Sequence, residues 1–278
     1  MRILALDGAL ARCSAAVWQD GTVLAEAMQD GARGHAAVLP ALARDVLRRA
    51  LPPASLPAAP SPATASSPAA PPPGAPTSDA SSPGAPTSDA SSPGASSPGV
   101  SPAGPAAAAR PPEPGADAPS TRPDAVAVTV GPGGFTGLRA AIALAQGFAA
   151  GWGVPCIGVT VGEALLAALA AAGEPPLPSW VAVDTKRGRV ALERPNEAPA
   201  VFALDDLPPA PASLLVLGDA APLLREALAA RGAAVTLGPA LPEAAAVAAV
   251  AARRLRGELP PIEATEPLYL EPPAVRGG

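Results

Sequence analysis

Gly131-Pro132-Gly133-Gly134-Phe135-Thr136-Gly137-Leu138-Arg139 is the stretch from which the rest of the chain can be read. The apolar run 126–130 enters it and the small-residue segment 140–150 leaves it, which reads as strand, glycine-rich turn and helix. Glycine lets the backbone take positive φ and lets another group come close to it. A helix that starts after such a turn presents unpaired N–H groups, which favour an anion. The turn therefore faces a phosphate or a partner, or it is a tight βα connection with close packing and no ligand; spacing leaves both open. With no Gly-Lys-Ser/Thr it is not a P-loop, and its glycines are not spaced as in a dinucleotide-binding turn.

Working outward toward the N-terminus, Ile3-Leu4-Ala5-Leu6 reads as a strand ending at Asp7. Runs 13–18 and 22–27 follow, the second after the hairpin signal Asp20-Gly21. This is an antiparallel meander whose first turn opens on an aspartate. In actin-like ATPase lobes such an aspartate positions metal-bound phosphate; a turn-capping carboxylate has the same signature. From Gly34-His35 to 51 the chain reads as a helix, with Val38, Leu39, Leu42, Val46 and Leu47 on one face. Pro40 is expected in its first turn, and Arg48 and Arg49 suit its C-terminus. His35 is the only histidine, so no multi-histidine metal site can form. It is an interface or ligand residue, or an ordinary helix-start residue.

Beyond the glycine turn come a strand at 154–159 and an alanine- and leucine-rich helix at 161–172. Thr136 and Thr160 are the candidate caps of the two helices. Glu174-Pro175-Pro176 is the best boundary. Strands at 180–183, 190–193, 200–204, 214–217 and 234–237 then alternate with helices at 222–231 and 242–256. The second half repeats the first: a meander, then alternating helix and strand. The expected fold is α/β, two ribonuclease-H-like lobes of the actin-like (ASKHA) kind. The expected domains are 1–51 plus 124–173, an insertion at 52–123, and 174–278.

The insertion holds 21 of the 40 prolines, only two large aliphatics (Leu56 and Val100) and no aromatic. The decapeptide 74–83 recurs unchanged as 84–93. Such composition cannot bury enough surface to offset ordering entropy, so a disordered, protease-sensitive loop is expected. The net charge of −5 lacks the footprint of a stand-alone nucleic-acid binder, although a subunit of an RNA-handling complex needs none. Two cysteines in apolar surroundings are too few for a disulfide framework. The start reads as a strand rather than a leader, and no continuous membrane-spanning run occurs. A cytoplasmic protein is expected.

Taken together, Ile3-Leu4-Ala5-Leu6-Asp7, Cys13-Ser14-Ala15-Ala16-Val17, the helix from His35 to Leu42, the glycine turn through Arg139, Ala145-Gln146-Gly147, Pro155-Cys156-Ile157-Gly158-Val159 and Pro267-Leu268-Tyr269-Leu270 resemble the TsaB (YeaZ) family. The glycine turn is the specific element; the others are weak singly but stand in the right order. The resemblance implies a non-catalytic paralogue of the TsaD catalytic subunit. It would pair with TsaD and the ATPase TsaE to transfer threonylcarbamoyl from threonylcarbamoyl-AMP to the adenosine next to the anticodon in tRNA. No catalytic residue, no metal ligand and no cofactor of its own are implied; ATP is used by the complex, and tRNA is reached through it. His35, Val38, Leu39, Leu42 and Leu144 would lie at the subunit interface, with a homodimer as an alternative pairing. Asp7, Gly133, Gly134, Thr136, Gly137 and Arg139 would be the remnant of a phosphate loop.

The sequence departs from the family at three places. Gly8-Ala9-Leu10 replaces the usual threonine and serine after Asp7, removing hydroxyls placed to meet a phosphate. Asp184-Thr185-Lys186-Arg187 stands for Asp-Ala-Arg, and Gly134 stands where serine is common. An independent ASKHA-type, ATP-dependent kinase is the competing expectation, with Asp7, Asp184 and the glycines at 133 and 218 around a phosphate. A peptidase fits least, since no Ser-His-Asp order is present.

Overall fold

In the computed structural model, residues 1–31, 34–51, 122–173, 177–195, 197–262 and 265–270 are described. The insertion assigned from composition lies outside them, apart from its last two residues. Two five-stranded mixed sheets carry the fold. In the first, β1 (Arg2–Asp7), β2 (Arg12–Gln19) and β3 (Thr22–Asp30) form the antiparallel meander. Asp20 and Gly21, both at positive φ, make its second turn. β4 (Ala125–Gly131) joins the other edge of β1 in parallel, Ile3 opposite Ala125, and β5 (Cys156–Thr160) joins β4. The strand order is β3-β2-β1-β4-β5.

The second sheet repeats this plan. β6 (Ser179–Asp184), β7 (Arg189–Glu193) and β8 (Ala200–Ala203) are antiparallel, while β9 (Ser213–Leu217) and β10 (Ala234–Leu237) extend β6 in parallel. The order is β10-β9-β6-β7-β8. The duplicated α/β fold expected from the sequence is therefore the fold observed.

Strand alternation sorts the core into layers. Leu4, Leu6, Val126 and Val128 of the first sheet pack under α1 (His35–Ala50) and α2 (Phe135–Trp152). Ile3, Ala5, Ala125 and Ala127 face the other way, against α3 (Val161–Ala171) and α5 (Ala244–Leu255). On the second sheet, Trp180, Ala182, Leu214 and Val216 pack on α4 (Ala221–Ala229), and Val181, Val183, Leu215 and Leu217 on Val161 and Leu165 of α3.

Three details depart from the local reading. α1 runs through Pro40, which stands in its second turn rather than its first; the carbonyl of Ala36, left without that N–H, belongs to an exposed residue that water can serve. Thr160 caps α3 in a capping box with Glu163, but Thr136 lies inside α2, whose cap is Gly134 with no side-chain bond. α5 follows the second sheet in the chain yet packs on the first, because its alanine- and valine-rich face matches the small residues Ala5, Ala125 and Ala127.

Candidate functional site

The glycine turn closes over the turn between β1 and β2. A Cβ at Gly133 would land on the Ala9 carbonyl, and one at Gly137 on the Gly8 carbonyl and His35 Nδ1. The Gly134 N–H donates to the Ala9 carbonyl at 2.7 Å. Close backbone approach is thus what these glycines serve. The inward side of the turn meets carbonyl oxygens, which repel a phosphate.

Asp7, the last residue of β1, is fully buried. Its Oδ1 accepts from the Thr129 hydroxyl at 2.6 Å and from the Ala9 N–H at 3.2 Å, while Oδ2 has no partner among the described residues. Burial pushes its carboxyl up to about 6, against the pull of Thr129, the Ala9 N–H and nearby His35 and Arg12. His35 opens α1 and is buried too. Its Nδ1 lies 3.2 Å from the Gly8 carbonyl and its Nε2 2.6 Å from that of Gly31. The imidazole joins the β1–β2 turn to the corner before α1, an internal position.

The outward side is different. Phe135, Thr136 and Arg139 are exposed on the first turns of α2. The Arg139 guanidinium lies 3.8 Å from the Phe135 ring centre and its Nε donates to the Tyr269 hydroxyl at 2.6 Å. Tyr269 is brought there by the segment 265–270. The Leu268 N–H donates to the Val130 carbonyl at 2.7 Å, the Thr265 hydroxyl to the Cys156 carbonyl at 3.0 Å, and Gln146 Nε2 to the Thr265 carbonyl at 2.9 Å. Sequence reading placed Arg139 at a phosphate and gave Tyr269 no role; the single tyrosine of a chain with 3% aromatics was the available signal.

Of the interface candidates, Val38, Leu42 and Leu144 are half-buried and border the exposed surface of the α1–α2 layer, whereas Leu39 is fully buried beneath it. Ala143, Gly147 and Gly151 are exposed along α2, and a Cβ at either glycine would meet nothing within 4 Å.

In the second sheet Asp184 holds the Lys186 backbone N–H at 2.7 Å and its Nζ at 2.9 Å; Asp219 takes the same Nζ at 3.3 Å and the Asp184 N–H at 2.8 Å. Between the sheets, Glu193 accepts from the Thr160 hydroxyl and the Gly162 N–H, and its carboxyl is pushed up by burial to about 7. Arg254 binds Glu163 and the Gly158 carbonyl. A groove of about 630 Å³ runs past Glu193, Leu166 and Leu177. Among the described residues no cluster of histidine, cysteine, aspartate or glutamate could hold a metal ion.

A family model described as TsaD, tRNA N6-adenosine threonylcarbamoyltransferase, matches residues 116–202, a span that starts ahead of β4, takes in the glycine turn and ends within β8. No curated protein matches the sequence. Two solved structures from Pseudomonas aeruginosa share the fold. One is an uncharacterized protein with similarity to peptidase YeaZ: 20% identity, 97% of this chain and 99% of that one, TM-score 0.59. The other is YeaZ: 19% identity, 96% of this chain and 100% of that one, TM-score 0.59. The resemblance to the TsaB (YeaZ) family drawn from the glycine turn is borne out by these matches.

Proposed function

We propose that this chain is a non-catalytic TsaB-type subunit that docks onto a TsaD-type catalytic subunit through its α1–α2 layer. The complex, with a TsaE-type ATPase, would transfer threonylcarbamoyl from threonylcarbamoyl-AMP to the adenosine next to the anticodon in tRNA. In this reading ATP belongs to the complex, tRNA is reached through it, and a homodimer through the same layer is the competing state. A cytoplasmic location fits; among the described residues no helix is long and apolar enough to cross a membrane.

The observation that carries the reading is the pair Gly147 and Gly151 inside an 18-residue helix. Gly147 stands mid-helix, where glycine costs about 0.5–1 kcal/mol relative to alanine; Gly151 stands in the last turn, and at both the space a Cβ would fill is unused by any neighbouring element among the described residues. Close approach of a second helix does use it. Half-buried Val38, Leu42 and Leu144 supply the apolar part of such a surface.

The kinase alternative draws on Asp7 and Asp184. Asp7 is sealed under Thr129 and Ala9, and Asp184 is held by Lys186, so neither carboxylate stands ready for a metal-bound phosphate. Size-exclusion chromatography with light scattering, on the chain alone and with the TsaD-type subunit of the same organism, tests the proposal. A one-to-one complex weakened by Leu42→Asp is expected. No complex with a well-folded partner, with or without ATP and the ATPase, would overturn it. ATP hydrolysis by the isolated chain that is lost in Asp7→Ala would favour the kinase.

A further inference from the structure

The chain carries a net charge of −5, yet its α1–α2 layer carries Arg44, Arg48, Arg49 and Arg139 against Asp45 alone. Asp45 is paired with Arg49 at 2.7 Å. Arg44 and Arg48 are exposed and meet no carboxylate among the described residues. Arg139 is fixed more firmly: Phe135 supports its face, and the Tyr269 hydroxyl takes its Nε. Among the described residues its two terminal nitrogens meet no carboxylate. Phe135 and Tyr269 themselves are 54% and 50% exposed. A guanidinium held against one exposed ring and hydrogen-bonded to the hydroxyl of another is pre-oriented, so it gains more from a planar anion than an unsupported arginine does.

We propose that this layer receives an acidic protein surface, with one carboxylate of the partner taken by Arg139, and that the segment 265–270 is a working part of the docking site because Tyr269 aims that arginine. Charge complementarity selects the occupant. A second copy of this chain would bring the same excess of arginine over carboxylate to the interface, so the two faces would not be complementary in charge. A nucleic acid needs several phosphate contacts in parallel, which an acidic chain with one ordered cation at this point does not supply. Exposed Phe, Tyr and Arg around a small-residue stripe have the composition of a protein interface centre.

This inference rests on the docking role proposed above, and the experiment separates the two. Binding of the full chain to the TsaD-type subunit is measured by calorimetry at 50 and 300 mM salt, for wild type and for Arg139→Ala, Arg139→Lys, Tyr269→Phe and the Arg139→Ala/Tyr269→Phe pair. Arg139→Ala is expected to raise Kd about 10-fold or more. Arg139→Lys should recover only part of that, Tyr269→Phe should raise Kd about 3-fold, and the pair should be no weaker than Arg139→Ala alone. Higher salt should weaken the wild type more than Arg139→Ala. Thermal midpoints of the point variants should stay within a few degrees of wild type. If wild type forms no complex, the docking role itself falls. If the complex forms but Arg139→Ala and Tyr269→Phe leave Kd and its salt dependence unchanged, the acidic-partner inference is wrong. Equally contrary would be retention of a fluorescein-labelled single-stranded RNA by the isolated chain that Arg139→Ala abolishes.

Discussion

Replacing Gly147 by alanine puts the proposed role of α2 to a test whose sign can be worked out in advance. Gly147 stands well inside the helix, at an exposed position, and an added Cβ meets nothing within 4 Å. No overpacking term arises, so the change reduces to helix propensity and unfolded-chain entropy, about 0.8–1 kcal/mol in favour of alanine. For a domain of this size that raises the thermal midpoint by about 2–4 °C. Gly137→Ala is the matched control. The same methyl there would strike the Gly8 carbonyl, a backbone atom in the β1–β2 turn, and His35. Overpacking of that kind costs about 1–3 kcal/mol and outweighs any propensity gained in the first helical turn. Thermal unfolding followed by circular dichroism should therefore move in opposite directions for the two variants. Gly147→Leu, which introduces a helix-favouring residue but projects from the exposed small-residue face of α2, should leave the isolated chain stable and raise the Kd for the partner. A lower midpoint for Gly147→Ala would refute the reasoning, since the glycine would then serve this chain's own fold.

Further outcomes follow from buried polar groups. Asp7 has a folded-state carboxyl near 6 against an ordinary 3.8, so the native state binds more protons than the unfolded state between about pH 4 and 6, and stability falls as pH rises through that window, by roughly 3 kcal/mol at most. Glu193, raised to about 7, adds a loss of the same sign from about pH 4.5 to 7. Urea unfolding from pH 4 to 8 should show that decline, shallower in Asp7→Asn; parallel curves for the two proteins would contradict the buried carboxyl. Thr160→Ala removes the capping box of α3 and the hydroxyl bonded to Glu193, and should cost about 1–2 kcal/mol. Thr136→Ala, at an exposed position that caps nothing, should change the unfolding midpoint hardly at all.

The strands and helices were legible because their causes are local. Short apolar runs marked β1, β2 and β4, Asp20-Gly21 marked a hairpin, and the apolar spacing from Leu39 to Leu47 marked α1. A meander followed by alternating helix and strand, seen in both halves, pointed to the duplication, since that order of elements is a local property of each half. The glycine turn announced itself as special but not why: a phosphate cradle and a close backbone crossing demand the same residue. Only the crossing partner, Gly8-Ala9 more than 120 residues upstream, distinguishes them, and chain folding alone brings it there.

The candidate site divides the same way. Periodicity put Leu39 and Leu42 on one apolar face of α1, but whether a position on that face is sealed or left at the margin depends on the sheet beneath it: Leu39 is sealed, Leu42 is not. Arg139 was visible as a lone charge in a small-residue helix, yet its orientation comes from Tyr269, 130 positions away, carried by a segment pinned to Val130 and Cys156. The small-residue face of α5 was equally plain in the sequence, and only tertiary packing assigned it to the first sheet rather than the second. Residue order thus determined the elements, their duplication and the family likeness, because those rest on contacts within a few residues. Which glycines face backbone, which side chains are left outward and what holds the outward arginine were settled by long-range contacts, whose partners no local pattern names.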